Sequence, residues 1–345
     1  MGLIVQRESL DSAREDAIAT LKATRSIPVD EYRYRWLYQS NPDGQAVLWA
    51  VRDQDSGAMA GFTVCLPRRM TLDGRQVTAW NGADFSILPK FRTLGVALKL
   101  RRAAKLEIDD GAAELLYSHP NEKMQVIHEK VGHFCVGRME RYSKPLRLGQ
   151  KLAPRMPGWA ATAVDATLGR VVTTSVPELV HRYQHEVKFA PSLQFNDDYD
   201  HLFADTCHQR GLVGVRDQRY LDWRYRQYPD QKFQLIEAFR NGRLAGFLIF
   251  LPKQESYLIQ DVFGSDPHTK LDLIVHAVRT ARAAGAQSIS MTLLEQSELI
   301  SILQRVGFRL RPDHSHMFTY AANDQLQPQI ADPKQWLIHV GDRDV

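Results

Sequence analysis

Apolar and polar positions along this chain fall into blocks with two different periods. From Ser9 to Thr24, Leu10, Ala17, Ile18 and Leu21 share one side of a 3.6-residue period, which predicts an amphipathic helix. Val47 to Val51 and Gly61 to Leu66 are short apolar runs around a turn at Gly57, the pattern of paired strands. Val77 to Leu88 predicts another strand. After it, Leu98, Leu100, Ala103, Ala104 and Leu106 give a long helix an apolar face, and Glu114 to Ser118 is a short strand. From Arg138 to about Leu193 the pattern breaks. Pro145, Pro154 and Pro157 punctuate this stretch, which reads as a linker. Its apolar run Trp159 to Val176 contains Asp165 and Arg170, so it predicts a helix packed between domains and not a membrane span.

The pattern also recurs at long range. Trp36-x-Tyr38-x-x-x-Pro42-Asp43 returns as Trp223-x-Tyr225-x-x-x-Pro229-Asp230. Ala60-Gly61-Phe62 with Leu66-Pro67 returns as Ala245-Gly246-Phe247 with Leu251-Pro252, and Val131-Gly132 with Phe134 as Val306-Gly307-Phe308. Three pairs in the same order predict a duplicated domain. The expected division is 1–148, a linker at 149–193, and 194–345.

One run carries chemistry: Ile87-Leu88-Pro89-Lys90-Phe91-Arg92-Thr93-Leu94-Gly95-Val96-Ala97. It reads as a strand end, a turn, and the first turn of the long helix. The first amides of a helix have no internal partners and lie at its positive end, so a pyrophosphate can bind there. Gly95 lets the backbone approach the phosphates, and the small Ala97 is expected to serve the same end. The alternative is a strand-to-helix turn with a glycine kept for packing.

This run resembles the acyl-CoA-binding motif of the GNAT superfamily of N-acyltransferases, and matches it across the consensus. A second motif follows: Asn121-x-x-Met124-x-x-x-His128-x-x-x-Gly132-His133-Phe134. GNAT proteins have Asn, then Tyr seven on and Gly-Phe eleven on. Here His128 replaces the Tyr, and His133 separates Gly132 from Phe134. With the repeat, the resemblance is to a tandem GNAT protein over most of the chain. It implies an α/β (α+β) fold of two GNAT-like domains, each a mixed, mostly antiparallel twisted sheet flanked by helices. It implies acetyl-CoA or another acyl-CoA as co-substrate, held by Ile87, Arg92, Thr93, Leu94, Gly95, Val96, Ala97 and Asn121.

In that family a strand-four carboxylate often takes the amine proton, and Asp84 stands at that place. The alternative is a strand carboxylate paired with a basic neighbour. His119 also reaches the expected cleft. His128 occupies the position of the proton-donating Tyr; the alternative is a structural histidine. In the second copy Asp266-Pro267-His268-Thr269-Lys270-Leu271-Asp272-Leu273 stands where the phosphate turn belongs, with Leu273 in place of Gly95 and Leu303 in place of Tyr. That copy is expected to have lost its CoA site. The ending Trp336-x-x-x-x-Gly341-Asp342-Arg343-Asp344, with Trp223-Arg224-Tyr225, resembles bacterial tandem acetyltransferase-like proteins associated with exopolysaccharide production. That implies an amine acceptor such as an amino sugar or a nucleotide- or lipid-linked precursor. A Fem-like aminoacyl transferase and a non-catalytic CoA-binding scaffold are the competing readings.

Composition adds bounds. A chain of 345 residues suffices for two domains. A net charge of +4 favours an anionic ligand weakly and is too small to indicate nucleic acid. Cys65, Cys135 and Cys207 form neither a disulfide framework nor a zinc set, and with the short, soon-charged start they suit a cytoplasmic protein. Arg138, Arg141, Lys144, Arg147, Lys151 and Arg155 form a basic cluster, read as a solvated connector or a dock for an anionic head group. His181 and His185 sit one helical turn apart, as a weak metal pair or an exposed helix face. Asn196, Asp197, Asp198 and Asp200 read as a helix start and lack the glycine and glutamate of a calcium loop. The Trp36 and Trp223 clusters could stack a sugar ring; their presence in both copies favours a core role.

Overall fold

The chain begins with strand β1 (Leu3–Glu8), and Ser9 then caps helix α1 (Leu10–Thr24) by accepting the Ser12 amide at 3.1 Å. A short helix α2 (Glu31–Tyr34), capped by Asp30, runs into a π-helical turn, Arg35–Gln39. Strands β2 (Val47–Asp53), β3 (Met59–Leu72) and β4 (Arg75–Ile87) follow, antiparallel. Helix α3 (Leu94–Asp109), strand β5 (Leu115–Ser118), helix α4 (Glu122–Lys130) and strand β6 (Phe134–Pro145) complete the first half. This computed structural model describes residues 2–147 and 173–343, apart from 27 and 210.

The second half repeats the order. Helix α5 (Val176–Val180), strand β7 (Glu186–Phe189), helix α6 (Asp197–Thr206), strand β8 (Leu212–Gly214) and helix α7 (Gln218–Leu221) lead into a second π-helical turn, Asp222–Arg226. Then come β9 (Gln234–Arg240), β10 (Arg243–Lys253), β11 (Ser256–Gly264), helix α8 (Pro267–Ala283), β12 (Ser288–Leu294), helix α9 (Leu299–Arg305), β13 (Arg309–Tyr320) and β14 (Trp336–Leu337).

Alternation along the first-half strands fixes the layers. Ala50, Val64 and Ala83 face Leu10, Ala17 and Leu21 of α1 on one side. Trp49, Val51 and Trp80 face Val96, Leu100 and Ala104 of α3 on the other. The result is a mixed, mostly antiparallel sheet flanked by helices, as expected.

The two halves exchange strands. One 14-stranded sheet runs through both, in the order β1-β2-β3-β4-β5-β13-β6-β12-β11-β10-β9-β7, with β8 and β14 branching from β3. Thus β13 of the second half pairs with β5, and β6 of the first half pairs with β12. The stretch read from Arg138 as a linker therefore starts as a central strand, whose partners are too distant in sequence for a local pattern to reveal. Its basic cluster is dispersed by those partners. Arg138 meets Glu295 at 3.0 Å, Arg141 meets Asp313 at 2.6 Å, and buried Lys144 meets Glu178 at 3.2 Å. Lys151, Arg155, Pro154, Pro157 and the apolar run from Trp159 as far as 172 lie outside the described residues.

His181 and His185 do not line an exposed helix face. Both converge on the buried Asp272, from Nε2 at 2.5 Å and Nδ1 at 2.8 Å. Asn196 opens α6, accepting the Asp198 amide at 3.2 Å. Among the described residues no helix is long and apolar enough to cross a membrane, and no acidic, histidine or cysteine group has a metal-holding arrangement.

Candidate functional site

The site forms where two parallel strands part. β4 and β5 pair only from Ala79–Gly82 against Leu115–Ser118. β5 then ends, while β4 continues to Ile87 with one edge unpaired. In that extension β4 bulges: Phe62 of β3 opposes Ser86 and Val64 opposes Ala83, so Asp84 and Phe85 share one partner. Asp84 takes φ +41°, a left-handed conformation that a non-glycine residue adopts only when its surroundings hold it. Gly82 stands at the fork, where a Cβ would lie 2.9 Å from Nη1 of Arg101. Arg101 projects from α3 into the fork, buried, with its guanidinium donating to Thr63 Oγ1 at 3.4 Å.

Beyond Ile87, a single 3-10 turn (Pro89–Phe91) delivers the chain to α3. Arg92 Nε donates to the Ile87 carbonyl at 2.9 Å and Thr93 Oγ1 accepts the Val96 amide at 3.3 Å. The Leu94 and Gly95 amides meet no acceptor among the described residues, and both residues are exposed. A Cβ on Gly95 would touch nothing within 4 Å. This is an open, positive helix end with room for an anion against the backbone, so these residues fit a pyrophosphate. Val96 and Ala97 point the other way, into the core, as does Ile87. The size of Ala97 thus serves packing, not ligand approach.

The corresponding end of the second half is closed. α8 begins at Pro267, which has no amide hydrogen, and the Asp266 carboxylate accepts the His268 and Thr269 amides at 2.8 and 3.0 Å. Burial pushes the Asp266 carboxyl up, but the hydrogen bonds from Thr269, Ser265 and His268 outweigh it and hold the group well below the usual carboxylate range. Leu273 lies well inside the helix, fully buried in the core, and does not stand at the position of Gly95. The amides at this helix end are taken up by the Asp266 carboxylate, and the Leu273 side chain lies away from them in the core.

The candidate catalytic residues surround the fork unequally. Asp84 faces α1 and α2, opposite α3. Its Oδ2 accepts from Tyr38 OH at 2.6 Å and Arg33 Nη2 at 3.0 Å, while Arg25 Nη2 lies 3.7 Å from Oδ1. The second half carries the same pair: Tyr225 OH donates to Asp261 Oδ2 at 3.3 Å, with Arg216 and His339 beside it. His119 follows β5 directly. Both its ring nitrogens are buried without a hydrogen-bond partner among the described residues. Burial and then the Arg343 charge lower its pKa well below 6.5, so the imidazole is neutral at pH 7.

His128 is buried in α4. Its Nδ1 lies 2.9 Å from His133 Nδ1 and 3.4 Å from Ser118 Oγ at the end of β5. Burial, Arg101 and His133 hold it neutral as well. A neutral imidazole is a weaker proton donor than the imidazolium, which bears on the acid role expected of His128. Asn121 caps α4, accepting the Met124 amide at 3.1 Å. Arg33, Tyr38 and Arg101 are further neighbours of the fork that no local sequence motif places there. Only Tyr38 carried a signal, through its repetition as Tyr225.

No known family pattern matches this sequence, and no curated protein matches it in sequence. Solved structures do match in fold. A GCN5-related N-acetyltransferase from Anabaena variabilis superposes with a TM-score of 0.67 at 12% identity, over 93% of this chain and 73% of that one. A conserved protein of unknown function from Enterococcus faecalis, described as a probable N-acyltransferase, gives 0.67 at 10% identity, over 94% and 73%. The N-myristoyltransferase of Saccharomyces cerevisiae with bound myristoyl-CoA gives 0.58 at 12%, over 93% and 79%. The fold of this chain is that of the GCN5-related N-acetyltransferases.

Proposed function

We propose that this chain is an acyl-CoA-dependent N-acyltransferase acting on a primary amine, with one CoA site per chain, in the first half. The observation that carries this reading is the contrast between two equivalent helix ends. At α3 the exposed Leu94 and Gly95 have amides with no acceptor among the described residues, whereas at α8 the Asp266 carboxylate accepts the His268 and Thr269 amides. Similarity in fold to enzymes of this class supports it.

Acyl-CoA supplies the activated thioester. The amine attacks its carbonyl carbon, an amide bond forms as the carbon–sulfur bond breaks, and the amine gives up a proton. The unpaired edge of β4 beyond Gly82 offers backbone donors to the carbonyl, the kind of preorganised group that contributes most to such reactions. Asp84 and His119 are the candidates for handling the proton. Oδ2 of Asp84 is committed to Tyr38 and Arg33, and the same arrangement recurs in the half whose helix end is closed. We therefore assign Asp84 to holding the bulge against α2, and proton acceptance to the neutral, unpartnered His119. The charge of Arg343 near His119 favours the free amine over the ammonium form. The product thiolate takes its proton from solvent.

Of the residues behind the exopolysaccharide resemblance, Trp223, Trp336 and Asp342 are buried and join the halves through Trp36, Tyr117 and Arg68, and buried Tyr225 bonds Asp261 within the second half. The cysteines are free thiols, which suits a reducing compartment such as the cytoplasm. Thermal unfolding with acetyl-CoA and with myristoyl-CoA tests the reading. At a hundred times its dissociation constant the preferred thioester stabilises the fold by about 2.7 kcal/mol, and no response to either contradicts an acyl-CoA enzyme.

A further inference from the structure

A cavity of about 690 Å³ lies between the halves. Arg33 and Trp36 wall it from the first half, and Tyr228, Phe233 and Leu258 from the second. Its volume suits a small molecule, and its aromatic walls suit an apolar body. It adjoins the fork from the face opposite α3, because Arg33 in its wall is the residue bonded to Asp84.

Arg224 in the same wall is 3% exposed. Its Nη2 donates to the Arg343 and Val340 carbonyls at 3.1 and 3.4 Å, and its guanidinium lies 5.8 Å from the Tyr228 ring. No carboxylate among the described residues is within ion-pair distance of it. The other buried arginines of the seam are each neutralised: Arg33 by Asp84, Arg68 by Asp43 and Asp342, Arg216 by Asp261 and Asp342. A buried guanidinium with only carbonyl partners bears a desolvation cost that an arriving anion relieves. Arg343 adds a second cation to this wall. The acids there, Asp30 and Asp230, are exposed, as are Lys232 and Lys253.

We propose that this cavity receives the amine acceptor, and that the acceptor carries an anionic group, carboxylate or phosphate, bound by Arg224, with an apolar or aromatic body against Trp36, Tyr228 and Phe233. The degenerate second half then serves the reaction by building the acceptor site. Naming the ligand an acceptor rests on the acyl-transfer reading; anion binding in the cavity does not.

Calorimetry with phenyl phosphate and benzyl alcohol tests binding without turnover. The Gly95→Leu background keeps the α3 amides from contributing. Phenyl phosphate is expected to bind at least about tenfold tighter than benzyl alcohol, the factor that about 1.4 kcal/mol represents. Arg224→Gln removes the difference and Arg224→Lys keeps part of it. Leu258→Trp, which narrows the cavity and leaves the arginine, weakens both probes, and it decides the matter if Arg224→Gln does not fold. Equal affinities for the two probes, or phenyl phosphate binding unaffected by Arg224→Gln or by Leu258→Trp, overturns the proposal. Turnover of L-phenylalanine against phenethylamine with acyl-CoA then separates the two readings. Anion binding without CoA binding sinks the enzyme and leaves the cavity site. CoA-dependent turnover that favours phenethylamine sinks the anionic acceptor and leaves the enzyme.

Discussion

Trp36 and Trp223 donate their indole N–H groups to each other's backbone carbonyl oxygens, both at 2.9 Å, with their rings stacked 5.1 Å apart. Each belongs to the π-helical turn of its own half. The duplication seen in the sequence is thus a pseudo-twofold contact in the fold, and the tryptophans form the joint between the copies.

Trp36→Phe leaves the buried Trp223 carbonyl without its donor and loses part of the stack. The expected cost is about 1–3 kcal/mol. The double variant with Trp223→Phe departs from additivity by about 0.5–1.5 kcal/mol, since the residues touch. Urea denaturation of the four proteins measures both quantities.

Asp266→Ala removes the cap of α8 and is expected to cost about 0.5–2 kcal/mol at pH 7. The folded carboxyl lies below its unfolded value, so its contribution is fully present above about pH 4. It is lost as pH falls through the folded value. The difference between wild type and variant, measured by urea denaturation at pH 7 and pH 3, therefore shrinks in acid.

His119, His128 and His133 are all held well below the ordinary histidine value, by burial first and then by nearby charges. The unfolded chain takes up their protons below about pH 6.5 while the folded chain does not. Stability therefore falls with decreasing pH, by about 1.4 kcal/mol per unit for each proton. His133→Phe keeps a ring against Tyr320 and removes one such proton. Its stability profile between pH 5 and 6.5 is expected to be shallower by about one proton.

His119→Gln is expected to lower kcat by about 10²-fold, the low end for a positioned base, with little change in CoA affinity. The loss shrinks at high pH, where the amine deprotonates unaided. Asp84→Asn weakens the tie to Arg33 and Tyr38, so it lowers stability as well as turnover. Denaturation and steady-state kinetics on both variants distinguish the two roles. A stable, fully inactive Asp84→Asn would return the base to Asp84.

The strand-to-helix turn from Ile87 to Gly95 is legible because its signals are local: a strand, Pro89, Gly95, and an apolar helix face. The paired strands around Gly57 and the helix starts at Ser9 and Asn196 were legible for the same reason. The exchange of β6 and β13 was not, because it depends on pairing between residues far apart in the chain. Asp266 was readable in principle, since Asp-Pro-x-Thr is a helix-start pattern. With Asp266 as the cap, His268 and not Leu273 stands level with Gly95. The equivalence of Tyr38–Asp84 with Tyr225–Asp261 was half visible. The tyrosines repeat within their motif, but different intervening lengths and a displaced bulge hide the aspartates.

One acyl-CoA site at the start of α3 underlies the proposed reaction. Titrating CoA calorimetrically into wild type and Gly95→Leu measures this directly. The new side chain enters open space, so the variant is expected to fold normally while covering the Leu94 and Gly95 amides. One CoA per wild-type chain and no detectable binding to the folded variant is the predicted result. Two CoA per chain, or unchanged affinity in folded Gly95→Leu, would contradict it.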